Sequence, residues 1–463
     1  MTETRALFKA LKIGNVELQH RIAMAPLTRF RAQDDHVHSV LMIMISYYTN
    51  QFVIYLLPNH CTPSLSPSIR RHELGYRPRI CRYAIAYSVT PSTSHNHRQL
   101  PALAIEYYTQ RATPGGLLIT EATFILPQAG GYRNVPGCYS PEQIKAWAKI
   151  VKGVHGKGGI IFQQLWALGR AAQGKVLQEE GGYDVVSASD VPLDPNGNTR
   201  SKDKPRPLTK DEIKEYIAGY AQCAKNFVQG AGGDGVELHF ANGYLVDQFT
   251  QTNSNKRTDE YGGSVENRCR FAREIIKAVV EAVGEGRTAL RISPHSPFQD
   301  MKMPEKDMIE TFSYLTNALK RDHPGLAYLH VTLPRVAGGF SNDNVKEEEN
   351  IDFIHDIWAP LPIIIAGQYE PESAIADAEK YPNSIIAFGR MFISNPDLPY
   401  KVRYGAELTP YNRKTFYLYG PDKAEGRYSK KFVHPDRPGA DIGPFALAPG
   451  YTTYKPSKIW GKL

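Results

Sequence analysis

The sequence predicts a (β/α)₈ barrel. Three observations carry this: eight short apolar runs, eight amphipathic stretches alternating with them, and polar side chains concentrated just after the runs. The first run is Arg21–Pro26, and Gly116–Glu121, Gly159–Trp166 and Gly235–His239 follow. Thr288–Ser293, Ala327–Thr332, Leu361–Gly367 and Ser384–Gly389 complete the set. Each is short and rich in branched residues, as a strand buried on both faces requires. The helical stretches are Pro101–Ala112, Pro141–Lys157, Thr209–Gln229 and Ser264–Val283, then Pro304–Asp322, Ile351–Ala359, Pro371–Lys380 and Asp397–Gly405. Several open on Ser, Thr or Asp, or carry Pro in the first turn, which are helix-start signals.

Composition bounds the rest. The chain has 463 residues, 42% hydrophobic and 22% charged, which excludes collagen-like, coiled-coil and disordered classes. Its five cysteines, Cys61, Cys81, Cys138, Cys223 and Cys269, are scattered with no CxxC pair, so neither a disulfide framework nor a zinc site is indicated. The opening MTETRALFKALKIGN has no apolar signal core, and a cytoplasmic setting is expected. The net charge of +8 invites a nucleic-acid partner. Most of it, however, sits in residues 37–99, with six Arg and one Glu, and no nucleic-acid-binding motif accompanies it, so none is expected.

Two segments break the rhythm. Residues 37–99 separate the first run from its helix, far beyond the usual βα loop. Their apolar part, residues 40–58, is long enough to raise a membrane span, but the polar block Ser46–Gln51 at its centre argues against one. The second is the Pro- and Gly-rich Arg427–Gly450. The expected organisation is a barrel over 1–426 interrupted by 37–99, followed by an irregular segment 427–463.

A barrel carries its chemistry at the C-terminal strand ends. These ends hold Thr28 and Arg29, Glu121 and Thr123, Gln164 and Trp166, His239 with Asn242 and Tyr244, Arg291, Arg335, Gly367 with Gln368, and Gly389 with Arg390. No GxGxxG follows a strand, no P-loop is present and no Lys stands at a strand end, so Rossmann dinucleotide binding, P-loop hydrolysis and Schiff-base chemistry lack their residues. The one HxH, His95 and His97, lies in the irregular segment, and no metal site is expected. His239, Asn242 and Tyr244 place an imidazole, a carboxamide and a phenol past one strand. The first two can both donate to a carbonyl oxygen as enolate charge builds, and the phenol can deliver a proton. The plainer alternative is a core histidine beside an aromatic plug. Gly367, Gly389 and Arg390 suit a phosphate after strands seven and eight.

The long block DGVELHFANGYLVDQFTQTNSNKRTDEYGGSVENRCRF (Asp234–Phe271) resembles the Old Yellow Enzyme family of flavin-dependent ene-reductases. MAPLTRFRA (24–32), FQQLWALGRAA (162–172), LRISP (290–294) and FGRMFISNPDLP (388–399) support the resemblance, which spans about 5–36, 100–426 and the final YTTYKP. It implies a single barrel with noncovalent FMN, reduced by NADPH and reoxidised by an α,β-unsaturated aldehyde or ketone. By the same resemblance Pro26, Leu27, Thr28, Ala122, Gln164 and Arg291 would contact the flavin ring. Gly367, Gln368, Gly389 and Arg390 would hold its phosphate. His239 and Asn242 would clamp the substrate carbonyl, Tyr244 would donate the proton, and Trp166, Phe298 and Tyr417 would form the substrate wall.

Ala122 stands where the family often has Gly, and Gln368 where it often has Asn or Gly. Tyr244 is retained, which favours net reduction over redox-neutral isomerisation or cyclisation, the alternative in a biosynthetic pathway. Removing 37–99 joins DDH to LPALAIEYYTQR, and removing 427–450 joins KAEG to YTTYKP, as the family would run. Translated introns are therefore expected there, the rival being a genuine lid or membrane anchor, with an inactive product as a further alternative. A monomer or homodimer is expected, with no membrane partner.

Overall fold

Eight parallel strands close on themselves. They are β1 (Ile22–Met24), β2 (Leu117–Ile119), β3 (Ile160–Trp166), β4 (Gly235–Phe240), β5 (Thr288–Ile292), β6 (Leu329–Thr332), β7 (Ile363–Ala366) and β8 (Ser384–Phe388). Each pairs with the next, β8 pairs with β1, and the barrel predicted from the eight apolar runs is the fold. The computed structural model describes residues 5–32, 35–36, 46–48, 51–53, 103–193, 203–346, 348–417 and 450–457. By backbone contacts the chain divides into two units, Met1–Val40 with Ala102–Leu463, and Leu41–Pro101. In the second unit the described residues form one antiparallel hairpin, Ser46–Tyr48 with Gln51–Val53. Cys61, Cys81, His95, His97 and residues 418–449 lie outside the described residues.

A helix follows every strand: α1 (Leu103–Arg111), α2 (Pro141–His155), α3 (Lys210–Lys225), α4 (Arg270–Val283), α5 (Glu305–Asp322), α6 (Asp352–Trp358), α7 (Pro371–Lys380) and α8 (Leu398–Tyr404). The start signals work as the sequence suggests. Ser140 and Thr209 each accept from the backbone N–H three residues on, and Gln143 and Glu212 complete reciprocal capping boxes. Each cap stabilises its helix by about 1 kcal/mol. The stretch Ser264–Val283 differs from a continuous helix, since it breaks at Cys269 into Val265–Arg268 and α4.

Alternation along the strands sorts the core. Outward residues such as Ile161, Leu165, Val236, Leu238, Leu290 and Val331 join the helices in one apolar cluster. Inward residues Ala23, Leu117, Ile119, Phe162, Ala289, Ile364 and Ile385 fill the lower barrel. A hairpin of Leu11–Ile13 and Val16–Leu18, turning at Gly14 with φ +48°, closes the floor through Ile13 and Leu18. Above the apolar layers the interior turns polar, with Gln164, Glu237, His239, Arg291 and His330 all buried. Apolar packing ends there, and the site begins.

Candidate active site

The polar layer opens into a cavity of about 670 Å³ at the C-terminal mouth, within the range of ligand pockets. All sixteen residues expected at a site line it, from every strand end but that of β6. Thr28 follows β1 and Ala122 follows β2. Gln164 and Trp166 come from β3, and His239, Asn242 and Tyr244 from β4 and its turn. Arg291 and Phe298 come from β5 and the loop after it. Gly367 and Gln368 follow β7, and Gly389 and Arg390 follow β8. Tyr417 arrives from beyond α8. Three polar strand-end residues are not brought there. Glu121 accepts the backbone N–H of Arg29 at 3.1 Å, Thr123 donates to the Glu121 carbonyl, and Arg335 braces the β7 turn through the Gly367 carbonyl and the Tyr369 ring.

His239 is held as a neutral donor. The backbone N–H of Ala241 donates to its Nδ1 at 3.3 Å, so the ring proton resides on Nε2. Burial first, then the positive charge of Arg291, pushes its pKa well below the usual histidine range. The Trp166 ring stacks on it at 6.0 Å and 12°, while the Tyr244 ring stands edge-on to both, at 5.0 Å from His239 and 4.6 Å from Trp166. Three rings thus fix one another.

The turn after β4 is held by four side chains that the sequence did not single out. Asn242 and Gly243 are left-handed, at φ +58° and +72°. The Asn242 N–H donates to Ser293 Oγ at 2.7 Å, and its carbonyl accepts from Gln299 Nε2 at 2.7 Å. The Gly243 N–H donates to Asp247 Oδ2 at 2.8 Å, and its carbonyl accepts from Gln248 Nε2 at 2.8 Å. Burial pushes the Asp247 carboxyl up to about 6. Arg170 donates in turn to the Gln299 carbonyl at 3.0 Å. The Asn242 amide is therefore aimed by its backbone, and its supports lie on three different loops. The contacts of Ser293, Gln299 and Arg170 join residues 51 to 129 positions apart, a separation at which no sequence spacing signals them, whereas Asp247 and Gln248 lie four and five positions from Gly243.

The opposite end of the cavity is cationic and glycine-rich. Arg390 reaches Ser341 Oγ and Tyr411 OH at 3.4 Å, and Arg413 donates to the Gly339 carbonyl. Gln368 sits at φ +49°, which explains why Asn or Gly would suit this position better. A flavin mononucleotide fits this division. Arg291 Nε is buried with no hydrogen-bond partner, in the cavity that Gln164 and Thr28 also line, and a ring system rich in acceptors would satisfy it. The phosphate would fall to Gly367, Gly389 and Arg390. Among the described residues no group of three or more His, Cys, Asp or Glu could hold a metal.

A parallel barrel with neutral donors at one end of its mouth and a cationic, glycine-rich end opposite is an enzyme of phosphate-bearing cofactors. The model of the NADH:flavin oxidoreductase / NADH oxidase family matches residues 6–54 and 82–409, and the chain belongs to that family. It is 42% identical to the chanoclavine-I aldehyde reductase fgaOx3 of Penicillium roqueforti, over 89% of this chain and 93% of that one. It is also 42% identical to the NADP-dependent oxidoreductase lnbE of Aspergillus flavus, over 89% and 92%. A chain of Claviceps fusiformis named a probable inactive dehydrogenase, easA, is 37% identical over 89% and 91%. The structure of Old Yellow Enzyme from Pichia sp. superposes with a TM-score of 0.69 at 34% identity, covering 90% of this chain and 92% of that one. The resemblance read from Asp234–Phe271 is borne out.

Proposed function

We propose that the sixteen cavity residues carry out the reduction of the C=C bond of an α,β-unsaturated aldehyde or ketone, in the roles the sequence suggested. The chain is an FMN-dependent oxidoreductase that draws on NADPH. FMN, held by the ring- and phosphate-facing residues named above, would supply the hydride chemistry that links NADPH to the acceptor's β-carbon. His239 Nε2–H and the Asn242 amide donate to the acceptor's carbonyl oxygen and strengthen their hold as enolate charge develops. The Tyr244 hydroxyl gives its proton to the α-carbon, and solvent replaces it. Trp166, Phe298 and Tyr417 keep water from the reacting carbons. The observation that carries this reading is the neutral His239 donor beside left-handed Asn242, with the Tyr244 ring 5.0 Å away. The name of the P. roqueforti relative supports an aldehyde.

Anaerobic product analysis tests the reading. One NADPH consumed per saturated aldehyde or ketone formed supports it. An isomerised or cyclised product of unchanged mass, with no NADPH consumed, would replace it with a redox-neutral reaction. The retained Tyr244 speaks for reduction.

The segments 37–99 and 427–450 are read as translated introns. The family model passes over residues 55–81, although it matches 37–54 and 82–99, and residues 41–101 form a unit of their own by backbone contacts. Sequencing the transcript decides: messages lacking both segments support the reading, and messages spanning them overturn it. Among the described residues no helix is long and apolar enough to cross a membrane. A cytoplasmic monomer or homodimer is our reading of the barrel.

A further inference from the structure

One layer below the cavity floor lies a buried charged cluster centred on a carboxylate that the reaction above does not use. Glu237 on β4 is fully buried and stands in register with Gln164 on β3. Its Oε1 accepts from Gln164 Nε2 at 2.7 Å. Its Oε2 lies 2.8 Å from His330 Nδ1, and since a carboxylate only accepts, that nitrogen carries the proton. His330 on β6 is in register with Arg291 on β5, which is in register with His239. Burial pushes the Glu237 carboxyl up, but its pairing with His330, the positive charge of Arg291 and the Gln164 hydrogen bond outweigh it, leaving it below the usual range. His330, pushed down chiefly by its own burial, is neutral. The cluster is therefore a carboxylate, one guanidinium and two neutral donors, enclosed where a barrel ordinarily packs Val, Ile and Leu.

This placement has two consequences for whatever lies on the floor. The first is orientation. With Gln164 Nε2 committed downward to Glu237, a flipped amide would set its oxygen against a carboxylate, so Oε1 is left to the cavity that Gln164 lines. The second is charge. Arg291 favours negative charge gained by a flavin on reduction, and the Glu237 carboxylate behind it offsets part of that field.

We propose that Glu237 is a positioning residue that sets the redox balance of the bound flavin, fixing the Gln164 amide and moderating the Arg291 charge from the layer beneath. His330 holds the carboxylate in place. The proposal rests on the FMN reading above, and the two fail separately.

The test is the midpoint potential of the FMN-loaded protein, measured by anaerobic reductive titration against a reference dye, with FMN stoichiometry recorded first. Glu237→Gln, which removes the charge and keeps the shape, is expected to shift the potential positive. It should also tighten reduced FMN relative to oxidised FMN. Glu237→Asp, which restores a carboxylate, should return the potential toward that of the parent protein. His330→Gln, which removes no charge, should leave it nearly unmoved. If Glu237→Gln does not fold, the double variant Glu237→Leu/His330→Leu removes the charge without stranding the His330 ring, and the same positive shift is expected. A yellow Glu237→Gln protein at the parent potential would overturn the proposal, as would equal shifts in the Gln and Asp variants. A parent chain that binds no FMN would instead overturn the reading on which it rests.

Discussion

Tyr244 and His239 differ in what they do with a proton, and each difference is measurable. Tyr244→Phe keeps the ring that packs on Trp166 and His239 but removes the hydroxyl. Reduction of the protein by NADPH should proceed at its former rate, while reoxidation by an enone should slow by about 10² to 10⁴, the usual worth of a general acid. Stopped-flow traces of the two half-reactions check this, and an unimpaired oxidative half-reaction would remove the assignment. His239 keeps its proton off Nδ1 and its charge at zero. Because its folded pKa is depressed, protonation favours the unfolded chain. Above pH 6.5 the group has no effect on stability. As pH falls below 6.5 it destabilises the fold, by up to about 1.4 kcal/mol per pH unit. His239→Asn should therefore lose less stability than the parent between pH 7 and 5 in urea titrations. Parallel losses would contradict the neutral assignment.

At the scale of elements, the turn after β4 is the part most exposed to a single change. A Cβ on Gly243 would meet Gln299 Cβ at 2.8 Å, at a φ of +72°. Gly243→Ala should cost about 1–2 kcal/mol for the left-handed backbone alone, more with the contact, and lower the melting temperature. Gln299→Leu leaves the buried Asn242 carbonyl without its donor, a loss of roughly 1–3 kcal/mol. It should lower kcat with an enone while FMN binding persists, because the flavin-facing residues are untouched. Loss of FMN together with kcat would place Gln299 elsewhere in the account. Here lies the difference between what was legible in the sequence and what was not. The strands and the polar residues at their ends could be read because period and position are local properties. Ser293 and Gln299 could not, since their role exists only once the loops after β4 and β5 meet. Glu237 was hidden inside a strand whose apolar neighbours Val236 and Leu238 dominate its pattern. Glu121 and Arg335, equally prominent at strand ends, turn out to brace backbone.

For the whole molecule, the closing contact is made by residues 450–457. Tyr451 is fully buried and stacks on Tyr107 of α1 at 4.1 Å and 6°. Three buried arginines surround it: Arg29 donates to the Gly450 carbonyl at 2.7 Å, Arg31 to the Thr415 carbonyl at 2.9 Å, and Arg111 to the Phe392 carbonyl at 3.0 Å. The chain after 449 thus fastens the β1 and α1 region that carries Thr28. Tyr451→Ala should cost about 3–5 kcal/mol, the range for a buried aromatic. A melting temperature within a degree of the parent would show that the contact is dispensable. The same contact sets a condition on residues 427–450: a chain lacking them gives up the Gly450 carbonyl and must still bring Tyr451 to Tyr107.

The most direct test of the account is the anaerobic absorbance spectrum of the purified chain, before and after NADPH and then after cyclohexenone. Flavin bands that bleach with NADPH and return with the enone are expected. A colourless protein that takes up no FMN, or a flavin that NADPH bleaches but the enone does not restore, would contradict it.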